Sequence, residues 1–301
     1  MMKKVFITGA SGFIGAAVTT LAAEQAEWEL FALTSGRRSV YFPDGVTPVI
    51  ADLYDPEQRR RVLEQVKPDM MLHLAWNLEQ KGFLQSASNL RWLEISLSML
   101  HDFQRNGGQE FLFAGSSSEY GYEQEICKVE SEKPTDLYGR CKLAFSQVAQ
   151  DFCCVNDISF TDIRYFPIYG PGEKTLVHAI PCAIDVLRRR EPFVCQAPNN
   201  CWDYMYIQDV AEATVAIMKK RVSGPINVGS GVGVPMGEIF RTVAAALHAE
   251  ELLSFENEHV NGKKLYADIT RLRNEVGFVP HMDLVSGIEE TVRWWQSSRQ
   301  R

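Results

Sequence analysis

A tyrosine and a lysine four positions apart are the two side chains of this sequence best suited to proton chemistry. Tyr138 and Lys142 lie in the segment "DLYGRCKLA", and a helix would bring both onto one face. An ammonium group lowers the pKa of a neighbouring phenol, so Tyr138 would exchange protons with a carbonyl or a carbinol near neutral pH. The same spacing is common by chance in surface pairs. In this chain it follows "EFLFAGSSS" (residues 110–118), an apolar strand that ends in serines, and α/β proteins form ligand sites at such strand ends.

Three glycines near the start of the sequence predict a phosphate-binding turn. The segment "VFITGASGFIG" places Gly9, Gly12 and Gly15 between a predicted strand and a predicted helix. Gly9 would permit a tight turn, Gly12 a close approach of the backbone to a pyrophosphate, and Gly15 close packing of the helix on the sheet. The free N–H groups of the helix N-terminus would favour the phosphates. Glycine turns also serve plain topology, but this strand–turn–helix context predicts dinucleotide binding.

The end of the second predicted strand bears on which dinucleotide binds. Sites for NAD usually have an acidic residue there, which binds the ribose 2′-hydroxyl. This chain has Thr34 and Ser35 instead, and Arg37 and Arg38 follow. Because hydroxyls and guanidinium groups suit a 2′-phosphate, the sequence favours NADP, with NAD as the second choice. The alternative is that both arginines are ordinary loop cations. After the third strand, Asp52 would accept from the adenine amino group or cap the next helix.

The elements that must position these groups alternate along the chain. Short apolar segments predict strands at 3–9, 28–35, 46–53, 69–75, 110–118 and 159–166, and amphipathic segments predict helices at 13–25, 56–66, 89–107 and 137–156. This alternation predicts an α/β fold with a Rossmann-type doubly wound parallel sheet and a smaller, mostly C-terminal α/β substrate lobe. We expect a dinucleotide-binding domain at 1–170, with a return to the sheet at about 205–230. The substrate-binding lobe would comprise 171–204 and 231–301.

Composition and charge narrow the class of protein. The 301 residues carry a formal net charge of -7, which disfavours binding to nucleic acid. No apolar run is long enough for a membrane span, and no signal-peptide pattern is visible. The seven cysteines form no C-x-x-C pair and no regular spacing with histidine, so neither a disulfide framework nor a metal site is expected. The sequence therefore predicts a soluble, reduced, cytoplasmic protein.

Several motifs, in order, resemble those of the extended short-chain dehydrogenase/reductase family of nucleotide-sugar epimerases, dehydratases and ketoreductases. They are "TGASGFIG", "HLA" (73–75), "SSSEYG", "YGRCK", "RYFPIYGPGE" and "WDYMYIQDVAEA". The resemblance implies that Tyr138 is the acid/base, Lys142 its partner and Ser116 the hydroxyl that holds the reacting oxygen, with Ser117 as the alternative. It also implies that Ser117, Ser118 and Tyr138 contact the sugar. The implied cofactor contacts are Gly9, Ser11, Gly12, Phe13, Ile14, Gly15, Ser35, Arg37, Asp52, Leu53, Leu74, Ala75, Tyr138 and Lys142.

Other residues of the family pattern are expected to be structural. Asp203, Tyr206 and Asp209 would couple the two lobes where the chain returns to the sheet. Arg164 would be buried and paired, and a role near the substrate is the alternative. The resemblance also implies a homodimer, formed through the long helices that contain residues 89–104 and 143–155. Deeper burial of these helices within one chain would explain their apolar faces equally well.

Departures from the family pattern narrow the expected chemistry. Dehydratases of this family carry an Asp-Glu pair directly after the catalytic hydroxyl, where this chain has Ser117 and Ser118, so dehydration is not expected. The acid that NAD-retaining epimerases favour after the second strand is missing. Pro167 replaces the asparagine that usually meets the sugar nucleotide, and Trp202 replaces a usual arginine. These changes weaken the inference that this chain binds its substrate in the way that is usual for the family.

Together these features favour an NADPH-dependent ketoreductase acting on a nucleotide-activated 4-keto-deoxysugar, with Tyr138 as proton donor. The alternative within the same class is an NAD-dependent nucleotide-sugar 4-epimerase. An alternative from another class is a non-enzymatic, dinucleotide-binding regulatory protein. The expected partner is a nucleoside-diphosphate sugar, with no nucleic acid and no membrane.

Overall fold

The computed structural model describes residues 2–37, 40–78 and 81–297. The strands within these ranges are β1 (Lys3–Thr8), β2 (Trp28–Thr34), β3 (Val46–Ile50), β4 (Met70–His73), β5 (Glu110–Ser116), β6 (Ile126–Cys127), β7 (Ser159–Tyr165), β8 (Ile168–Tyr169), β9 (Phe193–Cys195), β10 (Cys201–Asp203), β11 (Met205–Tyr206), β12 (Gly224–Val228), β13 (Gly233–Pro235), β14 (Leu253–Phe255) and β15 (Lys264–Ala267). The α-helices are α1 (Phe13–Gln25), α2 (Pro56–Val66), α3 (Ser88–Arg105), α4 (Leu137–Val155), α5 (Ala179–Arg188), α6 (Ile207–Lys220), α7 (Met236–Ala246) and α8 (Leu284–Ser297). Short 3-10 turns occupy Phe83–Gln85, Ser117–Tyr120 and Glu250–Leu252, and a π-helix occupies Leu272–Val276.

Seven of the described strands form one parallel sheet in the order β12-β7-β5-β4-β1-β2-β3. The chain runs outward from β1 to β3, then crosses back to β4 and continues through β5 and β7 to β12. The reversal between β1 and β4 is the kind of switch point at which α/β proteins bind ligands. The prediction of a Rossmann-type doubly wound sheet is confirmed, and β12 is a seventh strand contributed by the returning chain.

The sheet is covered on both faces, because successive side chains of a strand point to opposite sides. On one face, Ile7 and Leu72 pack in a core with residues of α1 and α6. On the other face, Phe6 and Phe113 pack in a core with residues of α2, α3 and α4. Burial on both sides explains why these strands are almost continuously apolar, as in β4, where every residue is buried.

A smaller lobe follows β8 and has a core of its own. Helices α5, α7 and α8 contribute Ile184, Ile239 and Trp295 to this core. A second, four-stranded sheet has the order β13-β10-β15-β6. Its strands are only two to four residues long. The lobe is therefore built mainly by packing of helices.

Three buried side chains connect the elements around the return of the chain to the sheet. The Asp203 carboxylate accepts backbone N–H groups from the loop after β12 and from β15. The Tyr206 hydroxyl donates to Glu290 of α8, and Asp209 of α6 accepts the N–H of Met282 at 3.0 Å. These contacts are structural, as expected for the three residues.

Within the described ranges, no helix has the length and apolar composition needed to cross a membrane. All seven cysteines, which lie within those ranges, are free thiols. Burial raises the pKa of the Cys153 thiol to about 12. This thiol therefore stays protonated and acts as a small apolar residue of the core.

Candidate active site

A cleft of about 490 Å³ opens at the carboxyl ends of β1, β4, β5 and β7. It is lined by the turn between β1 and α1, by the segments that follow the other three strands, and by α4 and the start of α5. The site residues predicted from the sequence that line it are Gly9, Gly12, Phe13, Ile14, Gly15, Leu74, Ser116, Ser117, Ser118, Tyr138 and Lys142. The fold thus brings the glycine turn and the side chains predicted to exchange protons into one cavity.

The turn between β1 and α1 has no room for side chains. Gly9 has a φ of +68°, and a Cβ at this position would lie 2.8 Å from the backbone nitrogen of Ala75. A Cβ on Gly15 would lie 2.1 Å from the carbonyl oxygen of Gly9. Gly12 is the N-cap of α1, and no side chain caps this helix. The first N–H groups of α1 are therefore available to an anion.

A neutral histidine fixes the end of β4 against this turn. His73 Nδ1 lies 2.7 Å from the Thr8 hydroxyl, which also accepts the backbone N–H of Ala75 at 3.2 Å. His73 Nε2 lies 3.0 Å from the Ser96 hydroxyl, which donates to a backbone carbonyl of α3. Burial, helped by the charge of Lys142, lowers the pKa of His73 to about 3. The imidazole therefore stays neutral and serves a structural role.

The three serines after β5 have different surroundings. Ser116 is buried, its backbone N–H donates to Glu119 Oε1 at 2.7 Å, and its hydroxyl accepts the N–H of Ser118 at 3.2 Å. This reciprocal arrangement is a capping box for the short turn that follows. Ser118 is also buried, and Ser117 is half-buried. Ser116 is thus held by the backbone N–H of Ser118 and by the Glu119 carboxylate.

Tyr138 and Lys142 lie on the first turns of α4, which Asp136 caps by accepting a backbone N–H at 2.7 Å. Burial raises the pKa of Tyr138, and a hydrogen bond with the Ser116 hydroxyl opposes that increase. The Lys142 ammonium donates to the carbonyl oxygen of Ala114 at 2.7 Å, and burial lowers its pKa to about 7. The structure therefore brings the predicted trio of Ser116, Tyr138 and Lys142 together.

A buried cluster of charges adjoins this trio. Arg164 Nε lies 3.1 Å from Glu119 and 2.9 Å from Asp162, and its Nη2 lies 2.7 Å from Glu132. Burial and the nearby Asp162 raise the pKa of Glu119, whereas Arg164 and Lys142 oppose that increase. The charges of Glu119 and Asp162 in turn favour the charged form of Lys142. Arg164 is buried and paired, as expected from the sequence.

The residues predicted to meet the adenosine half of a cofactor lie at the ends of β2 and β3, outside this cleft. Arg37 Nη2 donates to Asp52 Oδ2 at 2.7 Å, and both side chains are accessible to solvent. Ser35 is exposed, and its hydroxyl accepts the backbone N–H of Arg37 at 3.4 Å. Arg38 lies outside the described residues. The guanidinium that the sequence assigns to a 2′-phosphate is thus paired with a carboxylate of the same chain.

Other predicted cofactor contacts are also placed apart from the cleft. The side chain of Leu53 is buried in the core on the α2 face of the sheet. Ser11 is exposed and lines a second hollow, beside α1. Asp52 does not cap α2, because Asp55 does so by accepting two backbone N–H groups. The alternative helix-capping role of Asp52 is therefore wrong, and its contact with adenine stays a prediction.

Sequence reasoning misses several residues that line the cleft, among them Trp76, Phe83, Glu173 and His178. Trp76 directly follows the "HLA" motif and Glu173 ends the "GPGE" segment. These positions next to motifs are the feature of the sequence from which Trp76 and Glu173 could have been predicted to line the site. Phe83 and His178 are brought in by a 3-10 turn and by the N-cap of α5. No spacing in the sequence connects these two residues to the site.

The proteins to which this chain is similar in sequence include epimerases. The family model described as the NAD dependent epimerase/dehydratase family matches residues 5–229. The chain is 24% identical to UDP-glucuronate 4-epimerase 4 of Arabidopsis thaliana, over 97% of this chain and 75% of that protein. It is 25% identical to UDP-glucose 4-epimerase of Azospirillum brasilense, over 98% of this chain and 92% of that protein.

Solved structures of similar proteins have the same fold as this chain. The UDP-glucose 4-epimerase of Thermus thermophilus, in complex with NAD, superposes with a TM-score of 0.84 at 22% identity, over 98% of this chain and 99% of that one. The glycine turn and the Ser116–Tyr138–Lys142 trio agree with the resemblance seen in the motifs. Because the family model also matches most of the chain, the protein belongs to the NAD dependent epimerase/dehydratase family and is an NAD(P)-dependent oxidoreductase or epimerase.

Proposed function

We propose that this protein is an NAD-dependent nucleotide-sugar 4-epimerase. The observation that carries the proposal is that Ser116, Tyr138 and Lys142 line one cleft together with the glycine turn. A proton-exchanging pair beside a phosphate-binding turn suits an enzyme that oxidises and then reduces a bound alcohol. The relatives are named as 4-epimerases of UDP-sugars, which favours epimerisation over the ketoreduction that the sequence alone favours.

The geometry of the cleft fits a dinucleotide. Gly9, Gly12 and Gly15 keep the N-terminus of α1 clear of side chains, so a pyrophosphate would bind its free N–H groups. Lys142, in the same cleft, would bind the ribose next to the nicotinamide. When bound, NAD supplies a reversible two-electron acceptor for the C4 position of the sugar.

Tyr138 would move the proton in both directions. Oxidation of the C4 alcohol releases a proton to the Tyr138 phenolate, and reduction of the keto sugar takes the proton back from the phenol. Ser116 would hold the reacting oxygen, and its hydrogen bond lowers the pKa of Tyr138. Burial raises that pKa and the Ser116 hydroxyl opposes the increase. The Lys142 ammonium, which lies 5.6 Å from the Tyr138 ring centroid, would further stabilise the phenolate. Since the sugar is oxidised and then reduced, no NAD is consumed.

NAD is the proposed cofactor, and NADP is the second choice. A 2′-phosphate would have to compete with Asp52 for Arg37, and the carboxylate would repel it. Four of the solved structures similar to this chain are named as complexes that contain NAD or NAD+. One observation favours the second candidate function, the NADPH-dependent ketoreductase: β2 ends in Thr34 without an acidic residue.

The test combines cofactor content with turnover. The purified protein should contain stoichiometric NAD and interconvert UDP-glucose or UDP-glucuronate with its 4-epimer, without net formation of reduced cofactor. Tyr138→Phe should lower turnover by a factor of about 10²–10⁴ while NAD stays bound. Tyr54→Phe, at an exposed position that does not line the cleft, is the control. Steady oxidation of NADPH by a 4-keto sugar would identify the ketoreductase, and NAD binding without turnover of any nucleotide sugar would identify the regulatory protein.

The proposal extends to the organisation of the chain. Residues 1–170, with the return at about 205–230, would bind the cofactor, and residues 171–204 and 231–301 would bind the nucleotide sugar. Two copies would form a homodimer through α3 and α4. The free state of the seven cysteines supports a reducing, cytoplasmic location.

A further inference from the structure

The Lys142 ammonium is enclosed mainly by aromatic rings. The hydrogen bond that it makes among the described residues goes to the carbonyl oxygen of Ala114. Its Nζ lies 3.9 Å from the ring centroid of Trp76, 4.6 Å from that of Phe113 and 5.6 Å from that of Tyr138. Trp76 lines the cleft, whereas Phe113 is fully buried in the sheet. Trp76 is therefore the closest of the three rings, and it faces both the ammonium and the cleft.

The indole of Trp76 is fixed in this position. Its Nε1 donates to Asn89 Oδ1 at 2.9 Å, and the amide group of Asn89 donates to the carbonyl oxygens of Phe83 and Ser86. Trp92 stacks against it with a ring-centroid distance of 6.3 Å. A ring held at its polar end and supported on one face keeps one orientation. The contact with Lys142 is therefore a built feature of the site.

We propose that Trp76 is a positioning residue, whose indole face keeps Lys142 in its ammonium form and fixes it beside Tyr138. The kinetic part of this inference rests on the proposed function, since it assigns Lys142 a role in proton exchange. The contact itself is independent of the reaction. A tryptophan face attracts a cation most strongly among the aromatic side chains, and it does so more strongly where water is excluded.

The sign of the effect follows from the charges around Lys142. Burial lowers its pKa to about 7, while Glu119 of the turn after β5 and Asp162 of β7 act in the opposite direction. His73 of β4 is neutral, and Tyr138 of α4 is protonated at rest because burial raises its pKa. The indole favours the charged lysine and so raises its pKa. Removal of the indole should therefore lower the pKa of Lys142 by about half to one pH unit.

The direct test is an NMR titration of the protein labelled with ¹³C at lysine Cε, as purified with its cofactor. The resonance of Lys142 is assigned by its loss in Lys142→Arg. Trp76→Leu should lower the pKa of this lysine, and Trp76→Phe, which keeps a ring, should restore part of the loss. Trp28→Leu is the matched control, because Trp28 is also buried but begins β2, at the end of the sheet opposite the cleft. An unchanged or increased pKa in a folded Trp76→Leu protein would overturn the proposal.

The kinetic test uses the pH profile of epimerisation. An enzyme that needs the ammonium loses activity as pH rises through the pKa of Lys142, so the alkaline limb should move to lower pH in Trp76→Leu. Turnover at pH 8 should fall about three- to tenfold, with a smaller change in KM. The profile of Trp76→Phe should lie between those of the wild type and Trp76→Leu, and Trp28→Leu should keep the profile of the wild type. If the titration shows the shift but the wild type epimerises no nucleotide sugar, the proposed function fails and the contact stands.

Discussion

The guanidinium of Arg164 holds two buried carboxylates and a partly exposed third next to Ser116, Tyr138 and Lys142. Its side chain is 2% exposed, and it pairs with Glu119, Asp162 and Glu132. Removing the guanidinium while keeping the volume would leave Glu119 and Asp162 without their counter-charge in a place from which water is excluded. We expect Arg164→Met to lower the free energy of unfolding by about 3–5 kcal/mol, measured by urea denaturation at neutral pH.

Arg60→Met is the matched control for that experiment. Arg60 pairs with Glu57 and Glu64 on α2, and all three side chains are exposed. Exposed pairs contribute at most about 1 kcal/mol, so this variant should unfold close to the wild-type urea concentration. Equal losses of stability in the two variants would show that the buried cluster contributes no more than a surface pair.

At the scale of single residues, the sequence predicts the candidate catalytic groups better than the groups that surround them. Ser116, Tyr138 and Lys142 each belong to a motif with fixed spacing, and the structure brings them together. Glu119 lies within the "SSSEYG" motif, yet its role depends on Arg164, 45 positions away in the chain. The same is true of Trp76, whose partners lie on α3 and α4. Contacts between distant elements leave no local periodicity to detect.

At the scale of elements, β2 and β3 are parallel neighbours, so the segments that follow them lie side by side. Arg37 after β2 and Asp52 after β3 form an ion pair there. Because the Asp52 carboxylate accepts a hydrogen bond from the Arg37 guanidinium, removing the charge of Asp52 should make Arg37 available to a 2′-phosphate. We expect Asp52→Asn to lower the ratio of the NADP to the NAD dissociation constant about tenfold, which corresponds to one charge-assisted hydrogen bond. Isothermal titration of the cofactor-free protein with each dinucleotide measures this ratio.

Asp44→Asn is the control for the effect of net charge. Asp44 is exposed and lies in the same connection between β2 and β3, so its substitution removes the same charge from the same region. The Asp44 variant should keep the wild-type ratio. A similar change in both variants would mean that general electrostatics, rather than the pairing of Arg37, sets the preference for the cofactor.

The boundaries of the long elements could be predicted, whereas the short strands could not. Helices α1 and α2 span the predicted residues 13–25 and 56–66, because a glycine turn marks the start of one and a proline that of the other. Strands such as β6 and β8 contain two residues each. They exist because they pair with strands far along the chain, and two residues carry no periodic pattern. The sequence therefore predicts the lobe built from such strands only as a region.

At the scale of the whole molecule, the packing between the sheet and the lobe determines the shape of the cleft. Gly287 of α8 lies so close to Tyr169 of β8 that a Cβ would be 2.3 Å from the phenol oxygen. Pro167, which immediately precedes β8, lines the cleft. Helix α8 thus supports the strand next to the site, although no motif links the two segments. The order of the central strands could be inferred from connection rules, but this contact could not.

The outer surface of α3 and α4 carries exposed apolar side chains, Leu90, Val148 and Val155. The two helices pack against each other, and such a surface is suited to a two-fold interface with a second copy. We expect light scattering at micromolar concentration to give twice the chain mass of 34.0 kDa, and Val148→Arg to give the mass of one chain, because it would place a charge in the interface. Val285→Arg, at an exposed position on α8, should remain dimeric. A wild-type protein with the mass of a single chain would show that α3 and α4 face solvent, and the homodimer would then be excluded at that concentration.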